Sequence, residues 1–159
     1  MVGPTIWYAV PEIVAARAEE SGVHLRAAFS GREAGRLMSY PAVTVPASTS
    51  AADAIDDYFV THRFTAFPVV EDGRPVGLVD LASLSRVPVE RRPLTPVGDL
   101  AHREEELLIG EHQDVAELLE RPAFRRVGRA VVVRADGSVG LVSISDVEQV
   151  MRALELAST

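Results

Sequence analysis

Ser143 and Asp146 are the two side chains whose types and spacing best support chemistry in this sequence. They follow the apolar run from Val139 to Val142 and precede a helical pattern, which predicts a position where a strand passes into a helix. An ionised aspartate there can accept hydrogen bonds from two neighbouring hydroxyl groups, and the free N–H groups of the helix start favour an anion. The same spacing is a variant of the capping box, in which the pair only satisfies those N–H groups. Both interpretations, a cap alone and a cap that also contacts a ligand, stand at this point.

Other kinds of reactive site are not indicated. The sequence has no cysteine, so it has no thiol nucleophile, no disulfide and no thiolate metal ligand. No paired carboxylates or activated nucleophile stand out. We therefore predict a protein that is not an enzyme, with no catalytic residue, no metal site and no required cofactor. The histidines show no metal-ligand spacing with one another; they are His24, His62, His102 and His112.

Composition predicts a compact protein of a reducing compartment. The chain has 159 residues, of which 47% are hydrophobic, and this is enough to bury a core without disulfides or metals. Its formal charge of −7 argues against binding to nucleic acid, because that binding needs a basic surface. No apolar run approaches the roughly 18 residues needed to cross a bilayer. We therefore predict a cytoplasmic protein that does not bind nucleic acid.

An internal repeat organises the chain. The segment FPVVEDGRPVGLVDLASL (67–84) is repeated as AVVVRADGSVGLVSISDV (130–147), and their VGLV tetrapeptides align without a gap. Gly77 and Gly140 are equivalent residues of the two copies, and we call the difference between their residue numbers the repeat offset. In each copy an Asp-Gly turn separates two apolar runs, which predicts a β-hairpin.

Helices are predicted on both sides of each hairpin. The helix before the hairpin runs from about Ser50 to His62 in the first copy and is shorter or irregular around Pro122 in the second. Another helix follows each hairpin. Each unit is therefore predicted as strand, helix, strand, strand, helix.

The repeat and the proline content predict the domain boundaries. Residues 11–29 are amphipathic, which predicts a leading helix within a leading segment over residues 1–31. The first repeat is predicted over residues 32–86 and the second over residues 97–155. Residues 87–96 hold three prolines and two arginines, a composition typical of a stiff exposed linker.

The two copies resemble the CBS repeat, named after cystathionine β-synthase. The resemblance lies in HRFTAFPVVEDGRPVGLVDLASL and RRVGRAVVVRADGSVGLVSISDVEQVM, and with LMSYPAVTVPASTSAADAI it covers about residues 32–155. It implies an α+β (α/β) fold in which two β-α-β-β-α repeats pack through their sheets as a pseudo-two-fold pair, here preceded by the N-terminal helix. It also implies a non-catalytic regulatory module that forms a homodimer and holds an adenosine-type ligand, such as AMP, ADP or ATP, between the repeats.

The resemblance also implies which residues bind the ligand. Similar proteins hold the ribose by the carboxylate that ends the pattern Gly, two apolar residues, Ser or Thr, two residues, Asp, and residues 140–146 have this pattern. The first repeat has Asp80 and Ser83 at the matching positions, and the acidic run 104–106 departs from the pattern, so we predict one competent cleft. The predicted nucleotide-binding residues are Leu141, Ser143 and Asp146 of the second repeat, with Ala42, Phe64, Thr65 and Ala66 of the first.

Further residues have more than one interpretation from the sequence. Tyr40 and Pro41 are further candidates to enclose an adenine, and Arg126 and Arg129 are candidates to reach phosphates. Phe64 and Ala66 are equally explained as core residues. The alternative function is a structural dimerisation domain that binds no ligand.

A second, looser resemblance concerns the parent protein. The segment AARAEESGVHLRAAFSGREAGRLM resembles the stretch that joins the last membrane helix of some site-2-type zinc metalloproteases to a C-terminal CBS pair. The apolar cluster from Ile6 to Val10 suits a membrane interface or a neighbouring subunit. The HExxH zinc motif does not occur in this sequence. The resemblance thus implies a regulatory tail, attached through its N-terminus to a membrane protein and lying on the cytoplasmic face.

Overall fold

The two copies of the repeat form two three-stranded sheets of identical topology in the computed structural model, which describes residues 27–157. In each sheet the first strand runs parallel to the second, and the second and third strands form an antiparallel hairpin. The first sheet contains β1 (Val45–Pro46), β2 (Ala66–Glu71) and β3 (Arg74–Asp80). The second contains β4 (Leu108–Gly110), β5 (Arg129–Val133) and β6 (Val139–Ser143).

The register of the hairpins confirms the repeat offset. Val69 lies opposite Gly77 in the first sheet, and Val132 lies opposite Gly140 in the second. Gly73 and Gly137 have φ angles of +78° and +87°, so each hairpin turn uses a conformation that glycine adopts without strain. Both hairpins predicted from the Asp-Gly turns are therefore confirmed.

The helices confirm the predicted order within each repeat. The helix predicted from Ser50 to His62 begins at α2 (Ala51–Ala54), is capped by Ser50 Oγ at 3.1 Å from Asp53 N, and continues as a π-helical segment (Ile55–Val60). The matching helix of the second repeat is irregular, as predicted, because Pro122 begins a new helix directly after Arg121. The α-helices are α1 (Ala34–Leu37), α2, α3 (Leu81–Ser85), α4 (Val115–Glu120), α5 (Pro122–Val127) and α6 (Ile144–Ala157).

Three clusters of buried side chains form the core. One is centred on Phe67 of the first repeat and one on Phe124 of the second, and each also includes residues of the segment that leads into the other repeat. The third joins the repeats, because it brings Ala66 and Leu78 of the first sheet against Val131 and Val139 of the second. The repeats therefore pack through their sheets, as the resemblance implied.

The segment that leads into each repeat crosses to the sheet of the other repeat. The N–H of Ser39 donates to the carbonyl of Leu141 at 2.8 Å, and the N–H of Leu141 donates back at 3.0 Å. His102 and Leu78 form the equivalent pair, at 2.8 and 3.1 Å. These two pairs, called the crossing pairs below, are also related by the repeat offset. They tie the first repeat to β6 and the second repeat to β3.

The glycines of the two VGLV motifs permit this crossing. A Cβ atom at Gly77 would collide with the backbone oxygen of His102. A Cβ atom at Gly140 would collide with the side chain of Met38 and lie 2.9 Å from the oxygen of Ser39. Neither glycine has a left-handed backbone, so the close approach of another chain segment is the reason for glycine at both positions.

Other predicted segments have different outcomes. The linker predicted over residues 87–96 contains an exposed 3-10 helix (Val89–Leu94), and shorter 3-10 helices follow at Val97–Asp99 and Glu105–Leu107. The cluster from Ile6 to Val10 and most of the leading helix over residues 11–29 lie outside the described residues. Among the helices of residues 27–157, none is long and apolar enough to cross a membrane.

The substitution Gly77→Ala should lower the free energy of unfolding by about 2 kcal/mol, because the backbone oxygen of His102 cannot move away as a flexible side chain would. Urea denaturation followed by circular dichroism measures the loss. Gly110→Ala is the matched control, since a Cβ atom on Gly110 meets nothing within 4 Å. An equal loss in both variants would show that the close approach at Gly77 is not what makes glycine necessary there.

Candidate ligand-binding cleft between the repeats

A cleft of about 370 Å³ lies between the two repeats and contains every predicted nucleotide-binding residue. We call it the Asp146 cleft. Its lining includes Ala42, Phe64, Thr65, Ala66, Leu141, Ser143 and Asp146, all of which were predicted from the sequence. It also includes Ser39, Pro41, Val43, Arg63, Phe67, Pro68, Arg129 and Ser145. The predicted residues of the two repeats, which are distant in sequence, are therefore neighbours in the fold.

Ser143 and Asp146 form a reciprocal cap at the start of α6. Asp146 Oδ2 accepts hydrogen bonds from the backbone N–H of Ser143 at 2.8 Å and from its hydroxyl at 3.0 Å. Ser143 Oγ in turn accepts the backbone N–H of Asp146 at 3.2 Å. The predicted helix cap is therefore present, and it is common to both interpretations of this pair.

The cap leaves half of the carboxylate unused. Within the described residues, Oδ1 of Asp146 accepts no hydrogen bond, whereas Oδ2 accepts two. The side chain is only partly buried and lines the cleft. Capping and ligand contact are thus compatible in one residue, since they use different oxygen atoms.

The first repeat contributes an aromatic wall. The Phe64 side chain is 54% exposed, so the alternative that it is a core residue is wrong. Its ring is stacked on His62, with centroids 5.9 Å apart and planes inclined by 12°. Ala66 is 4% exposed and belongs to the core cluster between the repeats, so the core interpretation is correct for that residue even though it also lines the cleft.

Arg129 supplies a positive charge to the Asp146 cleft. Its backbone pairs with Ser143 at the start of β5, and its guanidinium crosses to the first repeat, where it donates to Thr65 Oγ1. Burial lowers the pKa of Arg129, and the negative charges of Asp80 and Asp146 oppose this change. An arginine remains protonated at neutral pH under such conditions. The guanidinium of Arg129 is therefore a cationic group close to the carboxylate of Asp146, and Arg63 is a second arginine in the lining of the cleft.

Two of the sequence candidates lie elsewhere. The hydroxyl of Tyr40 donates to Ser138 Oγ at 2.9 Å, and its ring packs under the guanidinium of Arg134. Arg126 pairs with Glu104 at 2.7 Å and lines a separate depression beside the acidic run 104–106. Neither side chain lines the Asp146 cleft.

The pseudo-symmetric counterpart of Ser143 and Asp146, which we call the Asp80 site, has different chemistry. Asp80 Oδ1 caps α3 by accepting the N–H of Ser83 at 2.8 Å. The other oxygen, Oδ2, lies 3.0 Å from Nε2 of His102, and the same nitrogen lies 3.3 Å from Ser83 Oγ. Although the three residue types match those of a hydrolase triad, Asp80 and Ser83 both contact one ring nitrogen, so the imidazole cannot pass a proton from one to the other.

These contacts change the titration of both partners. Burial alone would raise the pKa of Asp80, but the hydrogen bonds from His102 and Ser83 outweigh it and lower the pKa to about 2. The hydrogen bond to Asp80 raises the pKa of His102 above its ordinary value. Within residues 27–157, no group of three His, Asp or Glu side chains is arranged to hold a metal ion.

The comparisons with known proteins give a consistent result. Residues 34–90 match the CBS domain. The solved structure of the CBS domain of a bacterial CNNM/CorC family Mg²⁺ transporter in complex with ATP has a TM-score of 0.66 and 22% sequence identity. That match covers 83% of this chain and 95% of the other, so it shows a shared fold.

Two relatives of this chain are named as zinc metalloproteases. The chain is 34% identical over 146 residues to putative zinc metalloprotease Rip3 of Mycobacterium tuberculosis, a match that covers 90% of this chain. It is 25% identical to zinc metalloprotease MJ0392 of Methanocaldococcus jannaschii, with 89% of this chain covered. The chain spans only 37% and 38% of the lengths of these relatives.

The substitution Ser143→Ala should lower the free energy of unfolding by about 1 kcal/mol in the absence of any ligand, because it removes the oxygen that caps the N–H of Asp146. Thermal melting of the ligand-free protein measures this loss. Ser145→Ala is the matched control, since Ser145 is an exposed serine of the same turn. A loss no larger than that of the control would contradict the capping role.

Proposed function

We propose that this chain, whose residues 34–90 match the CBS domain, is a regulatory, non-catalytic module that binds an adenine nucleotide, AMP, ADP or ATP, in the Asp146 cleft. The observation that carries the proposal is the convergence of seven predicted side chains from both repeats on one cleft. The complex of the transporter CBS domain with ATP supports the choice of ligand.

The chemistry of the lining suits the three parts of a nucleotide. Oδ1 of Asp146 would accept hydrogen bonds from the ribose hydroxyls, because it takes none from the described residues. Phe64 and Ala42 offer apolar surface to the adenine. Arg129 would attract the phosphate groups, since a guanidinium forms strong charge-assisted hydrogen bonds with phosphate. This arrangement favours AMP, ADP or ATP over uncharged adenosine.

Binding in this cleft would act on the arrangement of the repeats. The ligand would contact the first repeat, at 32–86, and the second, at 97–155, on either side of the linker 87–96. It would stabilise the arrangement in which both repeats contact it. The size of this stabilisation would equal the difference between the binding free energy of the ligand in that arrangement and in the alternative arrangements. This is the means by which we propose that occupancy controls an attached or partner protein.

The attached protein that we propose is a zinc metalloprotease of the membrane. The similarity to zinc metalloproteases Rip3 and MJ0392 over nine tenths of this chain supports that parent. The module would then lie on the cytoplasmic face, where adenine nucleotides are abundant, with the N-terminus leading to the membrane part.

Nucleotide binding should raise the melting temperature of the purified chain. A ligand at about 100 times its Kd adds roughly 2.7 kcal/mol, which corresponds to about 5–10 °C for a domain of this size. The measurement is thermal melting with AMP, ADP, ATP and adenosine at equal millimolar concentrations. We expect at least one nucleotide to raise the melting temperature and adenosine to raise it less, because adenosine lacks the phosphate for Arg129.

The variant Asp146→Asn should abolish this rise. Asp114→Asn is the matched control, because Asp114 also caps a helix, through Oδ1 at 2.8 Å from Ala116 N, but does not line the cleft. Asparagine keeps one acceptor oxygen, so both variants can retain the helix cap. Only Asp146→Asn also replaces a carboxylate oxygen of the cleft by an amide NH2 group, which cannot accept a hydrogen bond from the ribose. If no nucleotide raises the melting temperature of the wild type, or if Asp146→Asn retains the rise, the proposed function is wrong and a dimerisation domain without ligand becomes the better assignment.

We propose, second, that the module forms a homodimer through its first repeat. Val60, Phe64 and Leu81 are 65%, 54% and 47% exposed, and the backbone N–H of Leu81 donates to Thr65 next to Phe64. Their counterparts at the repeat offset are all buried; they are Ala123, Val127 and Ile144. An apolar surface that only one repeat exposes suits an isologous contact between two copies.

Light scattering after gel filtration should give the mass of a dimer for the wild type. For Val60→Asp the mass should shift towards that of the monomer, because the contact would remove the new charge from water. Leu156→Asp is the control, since Leu156 is 77% exposed but lies near the end of α6 in the other repeat. A monomeric wild type, or a dimer that Val60→Asp leaves intact, would overturn the proposed interface.

A further inference from the structure

His102 fills the space beside Asp80 and Ser83 that corresponds to the Asp146 cleft. It occupies the position equivalent to Ser39, because the leucines with which the two residues form crossing pairs are themselves equivalent under the repeat offset. The short side chain of Ser39 lines the Asp146 cleft. The imidazole of His102 instead reaches Asp80 and Ser83, the counterparts of Ser143 and Asp146.

The contact joins the two repeats through side chains. Asp80 ends β3 of the first repeat, and His102 lies in the segment that leads into the second. One oxygen of Asp80 serves the local cap of α3, and the other faces the imidazole at 3.0 Å. The ion pair therefore reinforces the crossing pair between Leu78 and His102. Among the described contacts, the side chain of Ser39 forms no such bond, and the neighbouring Tyr40 instead donates to Ser138.

We propose that His102 and Asp80 form a pH-sensitive latch between the repeats, closed when the imidazole is protonated and weakened when it loses its proton. The latch would be a property of the chain itself, and it would operate without any bound nucleotide. Its geometry is well suited to the role, because the side chains of His102 and Asp80 are only 26% and 13% exposed and are thus partly shielded from water.

The charges around His102 determine the direction of the pH effect. Asp80 and Glu104 stabilise the imidazolium, and Arg126 opposes them, although Arg126 is itself paired with Glu104 at 2.7 Å. Arg129 also lies near Asp80 and competes for its charge. The hydrogen bond to Asp80 dominates, so the pKa of His102 is raised from its ordinary value of 6.5.

A raised pKa of a histidine means that folding favours the protonated form. The stabilisation is complete below pH 6.5 and is lost as the pH rises through the higher pKa of the folded protein. The pKa of Asp80, about 2, keeps the carboxylate ionised across this range. The latch should therefore be closed in mildly acidic solution and should weaken as the solution becomes mildly alkaline.

The test is thermal melting of the nucleotide-free protein from about pH 5.5 to about pH 9, on the wild type and on His102→Gln. Glutamine retains a hydrogen-bonding group but cannot carry the charge. We expect His102→Gln to melt about 2–4 °C below the wild type at the acidic end, and the difference to shrink as the pH rises.

His112→Gln is the matched control. Its Nδ1 lies 3.0 Å from Glu33 Oε2, but its side chain is 76% exposed, so its ion pair should contribute little. A difference between wild type and His102→Gln that does not change with pH, or no difference at any pH, would overturn the latch.

A titration of the wild type keeps the proposal testable if His102→Gln does not fold. The imidazole C–H signal of His102, followed by NMR over the same pH range, should give a pKa above 6.5, and a value at or below 6.5 would overturn the proposal. Neither measurement uses a nucleotide, so failure of the latch and failure of nucleotide binding are separate results.

Discussion

Two pairs of backbone hydrogen bonds, between Ser39 and Leu141 and between Leu78 and His102, are the constraint on which the rest of the structure depends. Each pair holds the segment that leads into one repeat against the last strand of the other repeat's sheet. The repeats therefore cannot separate without breaking backbone hydrogen bonds that are costly to leave unmade. Because the last strands pass directly into α3 and α6, the same constraint places the start of each helix beside residues of the opposite repeat.

Equivalent sheet topologies support two different sites because the side chains at equivalent positions differ. At the repeat offset, Ser39 is replaced by His102, and Ser83 by Asp146. The larger imidazole reaches the carboxylate that caps α3, so the protein itself satisfies the polar groups of the Asp80 site. In the Asp146 cleft, Asp146 and Arg129 line the space between the repeats, and one oxygen of Asp146 accepts no hydrogen bond from the described residues. Pseudo-symmetry of the backbone thus permits specialisation of each side.

The sequence predicted the features that depend on local pattern. Alternating apolar runs, Asp-Gly turns and the repeat offset predicted the two hairpins. The resemblance predicted that Asp146 and Phe64 line one cleft, and both residues do so. The resemblance also predicted that Ala42, from the segment that leads into the first repeat, lies beside the second repeat. The hydrogen bonds of the crossing pairs could not be predicted, because they depend on contacts between distant parts of the chain. For the same reason the sequence did not separate Arg129, which enters the Asp146 cleft, from Arg126, which does not. Comparison of Ser39 with His102 at the repeat offset was the available signal for the contact with Asp80.

The helix cap fixes the orientation of a partly buried carboxylate that lines the cleft. A free aspartate side chain has several rotamers and loses that freedom when it binds. In Asp146, two hydrogen bonds to Oδ2 already hold the carboxylate in one orientation, and Oδ1 accepts no hydrogen bond from the described residues. The same hydrogen bonds stabilise α6, whose buried face packs on the core of the second repeat. In the proposed function, capping and ligand binding would therefore be two uses of one carboxylate, and the structural role would lower the entropic cost of the functional one.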